Sequence, residues 1–268
     1  MKLLGTNNKL DKQSSRGEPF VLRGLSLAPA DLSGYETCPM RTADCTKACI
    51  GVKSGHNRFN PAKEAKIRKT KLFFEDNETF MTQLFREINN LRKYCNRLDK
   101  RPVVRLNTYS DIVWEKKHPE IFLEFPDVQF YDYTKIHQRR NLPDNYHLTL
   151  SYTGYNWEEC EAWLSSGRNV AVVFKDCWDN PLPDKWRGFD VVDADEDDCR
   201  WLDDPGKILA LRTKGSVKHA GPFFADATEL TVTGIPNIAI TIHGRGAKYF
   251  KSESLRKEVH CESNGATR

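Results

Sequence analysis

An α/β fold built on a parallel sheet, closed partly or fully as a TIM-like β/α barrel, is what this sequence predicts, and it predicts a single domain. Three observations carry that expectation. Short apolar runs rich in Val, Ile, Leu and Phe recur along the chain, and each ends in a polar cluster. Helix-patterned stretches stand between several of them, as strand–helix–strand units require. No repeat, low-complexity tract or Pro/Gly/Ser linker interrupts the series.

The runs read, in order, FVLRGLSLA (20–28), PVVRLNTYSD (102–111), VQFYDYTK (128–135), YHLTLSYTG (146–154), NVAVVFKD (169–176), FDVVDADEDD (189–198) and KILALRTKG (207–215). Several are nearly continuous in apolar residues, which suits strands covered on both faces. Asn60-Pro61 gives an N-cap and first-turn pair for a helix over AKEAKIRKTKLFF. After Asn77, the residues Phe80, Leu84, Ile88, Leu91, Cys95 and Leu98 recur at steps of three and four and predict a second, amphipathic helix. A shorter helix is predicted over Trp157–Ser165. Residues 1–18 are polar and expected to be loosely held, residues 19–250 to form the barrel domain with its cysteine cluster, and residues 251–268 to be a polar tail.

Composition narrows the class. With 39% hydrophobic and 29% charged residues in 268, the chain can bury a substantial core. The net charge of +4, from 41 basic and 37 acidic side chains, is too small to announce a nucleic-acid binder by itself. No apolar run approaches the ~20 residues of a membrane span. The start, MKLLGTNNKLDKQSS, turns polar after four residues and lacks the apolar stretch of a signal peptide, so a cytoplasmic protein with reduced cysteines is expected.

Eight cysteines are present, and three of them, Cys38, Cys45 and Cys49, lie within ETCPMRTADCTKACIG at C-x6-C-x3-C spacing. Proline, charges and small polar residues surround them, which does not read as core. In a reducing compartment a disulfide is the weakest explanation. Thiolates are soft ligands, suited to zinc or to iron–sulfur chemistry. A structural zinc calls for a fourth ligand, which His56 offers as C-x6-C-x3-C-x6-H. A four-iron cluster on three cysteines needs no more, and keeps one iron open to a small molecule. Ligand softness and count favour the [4Fe-4S] cluster, with zinc next. Cys95 falls on the helical stripe and reads as core.

In a β/α barrel, chemistry is assembled at the C-terminal ends of the strands. Those ends carry Asn107, Ser110 and Asp111; Asp132, Tyr133, Thr134 and Lys135; Ser151 and Tyr152; Asp193 and Asp195; and Arg212 and Lys214. The cysteine stretch follows the first run and so belongs to the same rim. A three-cysteine loop after the first strand, followed by a helix and parallel strands with polar ends, resembles the radical S-adenosylmethionine enzymes, although their usual spacing is C-x3-C-x2-C. The stretches LAPADLSGYETCPMRTADC, KTKLFFED, VVRLNTYSDIVWE and VQFYDYTK are similar to bacteriophage proteins of the gene product 88 family, over roughly Leu25 to Lys218. That second likeness implies a phage or prophage origin, hence the cytoplasm of a host cell. The radical-enzyme likeness implies a cluster on Cys38, Cys45 and Cys49 with S-adenosylmethionine at the open iron. It also implies that Asn107, Ser110 and Asp111 face the cofactor's ammonium group, and that Asp132, Ser151 or Asp193 holds a ribose or a substrate, with a nucleotide or nucleic acid as the substrate class.

Two rivals stand beside this reading. Lys53, Arg58, Lys63, Lys66, Arg68, Lys69 and Lys71 form a basic region that suits a phosphate-rich partner, or simply a solvated helix face; with His56 it defines a zinc-bearing nucleic-acid-binding or host-interaction protein. DADEDD (193–198) could hold a divalent cation for a hydrolase or nuclease, or be an exposed acidic loop. His147 reads as a core histidine, and His243, in AITIHGRG, is a weaker site candidate. No P-loop, dinucleotide fingerprint, G-x-S-x-G or H-E-x-x-H is present.

Overall fold

The computed structural model describes residues 1–6, 10, 19–175, 177–178, 180–215 and 220–228. His243, Cys261 and the tail from 251 lie outside the described residues. All seven apolar runs contain strands. They are β2 (Phe20–Leu25), β3 (Arg101–Arg105), β4 (Gln129–Thr134), β5 (Tyr146–Ser151), β6 (Val170–Phe174), β8 (Phe189–Asp193) and β9 (Ile208–Arg212). Three two-residue strands add to them: β1 (Leu4–Gly5), β7 (Lys185–Trp186) and β10 (Phe224–Ala225).

The result is a ten-stranded, mostly parallel sheet in the order β1-β2-β3-β4-β5-β6-β9-β8-β7, with β10 on β6. From β2 to β6 neighbours in the sheet are neighbours in sequence, and every pairing from β2 through β9 to β8 is parallel. The edges are antiparallel, β1 on β2 and β7 on β8. No pairing among the described residues joins the two edges, so the sheet is not closed. β10 takes the side of β6 that β5 leaves: β5 pairs with Val170 and Ala171, β10 with Val173 and Phe174.

The period-2 alternation of the strands divides two faces. One carries Val21, Leu25, Val104, Phe130, Leu148, Leu150, Val170, Val172 and Ile208 into the main core. Helices α3 (Asn60–Glu75) and α4 (Asn77–Arg97) contribute to that core through Phe73, Phe80, Leu84, Ile88, Leu91 and Cys95. Each such side chain contributes about 1.5–3 kcal/mol by leaving water. Leu98, expected to extend the stripe, is 46% exposed just past the helix end. Pro61 sits in the first turn of α3, whose cap is Phe59 rather than Asn60. The Asp76 carboxylate caps α4 by accepting from the Thr79 N–H at 3.1 Å. The Trp157–Ser165 helix is present as predicted.

Four short helices had no periodic signal: α1 (Ala43–Lys47), α2 (Ile50–Lys53), α5 (Trp114–Lys117) and α6 (Glu120–Glu124). The N-terminal residues are also tied down. Leu3 and Leu4 are buried, their N–H groups donate to Glu87 at 2.8 and 2.6 Å, and Lys69 Nζ donates to the Leu3 carbonyl at 2.7 Å. Among the described helices, none is long and apolar enough to cross a membrane.

The other face holds a second cluster, Leu10, Phe20, Leu22, Val103, Tyr131 and Cys199, with Trp201 packed against it. Trp201 follows β8 in sequence, yet its ring meets Phe20 of β2 edge-on at 5.2 Å. Asp198, beside it, accepts from Tyr131 Oη of β4 at 2.6 Å. The segment after β8 therefore crosses the inner face of β2–β4. Above this cluster, toward the strands' C-terminal ends, the inner face opens into cavities.

Candidate functional site

Two adjoining cavities of about 220 and 840 Å³ occupy that end of the sheet. Gly24, Arg105, Tyr133, Ser151, Val173 and Leu211, from β2, β3, β4, β5, β6 and β9, all face the larger one. The three cysteines line the smaller one and not the larger.

Each cysteine is presented by a different piece of backbone. Cys38 follows Thr37, whose hydroxyl donates to the Ala28 carbonyl at 2.7 Å and whose carbonyl accepts from the Asp111 N–H at 2.7 Å. Cys45 sits in the first turn of α1, its N–H capped by Thr42 Oγ1 at 3.1 Å. Cys49 is the N-cap of α2. Arg41 staples the loop by donating to Glu36 at 2.9 Å and Asp31 at 3.1 Å. Gly51 permits the close approach of Tyr109, because a Cβ there would stand 2.8 Å from the ring.

All three thiols are free and half-buried. Burial raises the Cys38 thiol's pKa, while hydrogen bonds from the Ala30 N–H at 3.4 Å and from Thr37 oppose that rise. Ala30 holds φ at +54°, an uncommon conformation for a residue with a side chain, and its N–H points at the sulfur. Burial pushes the Cys49 thiol up to about 11, with Cys45 and Cys38 adding repulsion. The cation facing them is Lys135, at the end of β4. Burial works to depress its ammonium, but the negative charges of Cys45, Asp111, Cys38 and Cys49 outweigh burial and hold it above its ordinary pKa.

The expected cofactor residues divide. Ser110 and Asp111 line the cysteine cavity. Asp111 also accepts from Thr134 at 2.8 Å and from the Lys135 N–H at 2.7 Å, with Arg139 at 3.4 Å. Asn107 borders the same cavity, but its Oδ1 already accepts from Ser110, the Ile112 N–H and Trp114 Nε1, so its role is to fix the bend after β3. Asp132 is fully buried behind it and borders neither cavity; it accepts from the Asn107 N–H at 2.6 Å and Tyr146 Oη at 2.8 Å, and burial pushes it up to about 7. Ser151 faces the larger cavity. Asp193 accepts from Arg212 at 2.7 Å and stands apart from the cysteines.

His56 borders the larger cavity and not the cysteine cavity; its ring lies 5.9 Å from Phe59. Among the described residues, no group of three or more His, Cys, Asp or Glu side chains is gathered as a single metal ion would require. The acidic loop is neutralised from within. Asp195 accepts from the Arg212 N–H at 2.8 Å and Lys214 at 2.5 Å, Asp197 accepts from Arg200 at 2.6 Å, and Asp198 faces Arg105 at 3.4 Å. Of the basic region, Lys66 and Lys69 turn inward to the larger cavity, while Lys53, Arg58, Arg68 and Lys71 are exposed. The sequence did not single out Arg105 or Tyr109 as site residues, and it named Lys66 only as one member of the basic region. Arg105 had a signal, a cation at the end of the run PVVR; Tyr109 is brought in only by the fold.

An open, mostly parallel α/β sheet, with a cavity lined by three free thiols at its C-terminal edge, defines the class of this protein. Within that class, the chain belongs to the gene product 88 family, whose model matches residues 1–228. No curated protein and no solved structure matches it.

Proposed function

We propose that this phage-family chain is an iron–sulfur enzyme of the radical S-adenosylmethionine kind, acting in the host cytoplasm. Cys38, Cys45 and Cys49 are its cluster ligands, and the adjoining cavities take cofactor and substrate. The observation that carries the reading is the gathering of three free, half-buried thiols from one loop around a single cavity at the C-terminal ends of parallel strands. The donor set fits: three soft ligands, with no histidine among the described residues that line the same cavity, suit a cluster better than a tetrahedral Cys3His zinc. The sheet is then a partial β/α barrel, an interpretation supported by the sequential order of β2 to β6 and by the six strands facing one cavity.

A four-iron cluster with one iron free of protein ligands supplies one-electron chemistry to bound S-adenosylmethionine. The residues of this chain do the rest. Lys135 balances the thiolate charge, and the Ala30 N–H steadies Cys38 as an acceptor. Ser110 and Asp111 offer oxygens to an ammonium group, whereas Asn107 positions Ser110 from behind. Val173, Leu211, Phe223 and Phe224 form an apolar wall that excludes water.

Anaerobic purification with iron, acid-labile sulfide and zinc measured for wild type and Cys45→Ala tests the reading. About four irons and four sulfides per chain, lost in the variant, are expected. One zinc per chain with negligible iron after attempted reconstitution overturns it.

A further inference from the structure

We infer that the larger cavity binds a phosphate-bearing small molecule, with Lys66 and Arg105 as its anion-holding residues. The inference rests on the proposed function only in regarding that ligand as a substrate; the binding itself needs no metal.

The charge balance of the cavity points this way. Five cations line it, Lys66, Lys69, Arg105, Lys135 and Lys214, against one carboxylate, Asp198. Lys214 is matched by Asp195, and Lys69 donates to the Leu3 carbonyl with Glu87 nearby. Lys135 answers the thiols. Lys66 meets no carboxylate among the described residues, and the Cys49 thiol only partly offsets its burial. It is 4% exposed, and its contacts are neutral: it donates to Asn57 Oδ1 at 2.7 Å and lies 5.2 Å from the centre of the Tyr109 ring. Burial lowers its pKa to about 8, so the site as it stands opposes the charge that an anion would favour.

Arg105 is also incompletely satisfied. It faces Asp198 at 3.4 Å, a carboxylate that also accepts from Tyr131, and its buried Nε has no partner. Thr108, 7% exposed on the same wall, has an unpartnered buried hydroxyl. Gly24 faces that hydroxyl, and a Cβ there would stand 2.7 Å from it, so the absence of a side chain keeps the floor open. Buried charges and hydroxyls are ordinarily matched. Here Lys66, Arg105 and Thr108 all line one space of about 840 Å³, ample for a phosphorylated metabolite or a nucleotide. The several oxygens of a phosphate can accept from an ammonium, a guanidinium N–H and a hydroxyl at once.

Calorimetric titration of the full chain with inorganic pyrophosphate, AMP, ribose 5-phosphate and adenosine tests the inference. Saturable, salt-sensitive binding of the phosphorylated probes but not of adenosine is expected; AMP well above ribose 5-phosphate would identify a nucleotide, and equal binding a general phosphate ester. Lys66→Met should weaken binding at least about tenfold, the loss of one charge-assisted hydrogen bond. The same variant should melt no lower than wild type without ligand, because it relieves a buried, unmatched ammonium, and Lys66→Arg should retain most of the affinity. Equal affinity of wild type and Lys66→Met, or no saturable binding of any phosphorylated probe, overturns the inference. The chain carrying Cys38→Ala, Cys45→Ala and Cys49→Ala separates the two proposals. Binding retained there supports this site whatever the cysteines hold, and a wild-type cluster without phosphate binding sinks this inference alone.

Discussion

The cysteine loop at 38–49 and the acidic loop at 193–198 both follow a parallel strand, and both look like metal sites as strings of ligands. The fold treats them in opposite ways. Four of the five carboxylates of the acidic loop meet a cation: Asp193 and Asp195 meet Arg212, Asp195 also Lys214, Asp197 Arg200, and Asp198 Arg105. The cysteine loop keeps three free thiols on an open cavity, with a lysine placed among their charges. A run of ligand-type residues is a site only where the surroundings have not already satisfied them, and burial makes the distinction sharp because an unmatched charge costs most away from water.

That contrast can be broken from either side. The largest effect is expected at Asp198, 3% exposed and shared by Tyr131 and Arg105. Asp198→Ala should lower stability in denaturant unfolding by about 3 kcal/mol, since it strands a partly buried cation. It should leave the iron and sulfide content proposed for the cysteine loop at the wild-type level; a loss of iron without destabilisation would mean that the acidic loop serves the site directly.

An intermediate effect is expected at His147 in β5, which burial, reinforced by Arg200 and Arg168, holds down at about 4. An unfolded histidine titrates near 6.5, so below that pH the unfolded chain binds the extra proton and the folded one does not. The stability associated with the neutral ring is complete above about 6.5 and is lost as pH falls to about 4, on the order of 2 kcal/mol. Unfolding of wild type and His147→Leu across that window checks this: the variant's curve should be flatter, and parallel curves would contradict the assignment.

The smallest effect belongs to the cysteine loop's own staple. Arg41 pairs with Asp31 and Glu36, which are 72% and 41% exposed, so Arg41→Gln should cost at most about 1 kcal/mol. Alkylation rates of the three thiols in metal-free protein should stay close to wild type. A large change at Cys38 alone would show that the staple orients the sulfur and does more than tidy the loop.

Much of this molecule could be read from the chain. Strands appear in all seven of the apolar runs that end in polar clusters, because a strand covered on both faces needs no polar alternation, and α4 follows its stripe from Phe80 to Cys95. The two-residue strand β7 and the short helices α1, α2, α5 and α6 had no signal, because two to five residues cannot show a period. In the site, Cys38, Cys45, Cys49, Ser110 and Asp111 were legible by residue type and position after a strand. Asn107 and Asp132 were legible as polar groups but not as supports, since that depends on partners such as Trp114 and Tyr146, which are remote from one or the other in sequence.

The sequence by itself determined the strand series, the long helices, the family and the spacing of the three thiols, all of which depend on local pattern. Only the tertiary structure decided which charges are matched. Lys66 is a solvated helix lysine by pattern and a buried, carboxylate-free cation by packing; Asp195 is an exposed acid by pattern and the partner of Arg212 and Lys214 by packing. The physical reason is that hydrophobic periodicity is written over a few residues, whereas the electrostatic fate of a side chain depends on elements that meet only when the sheet brings its C-terminal ends together.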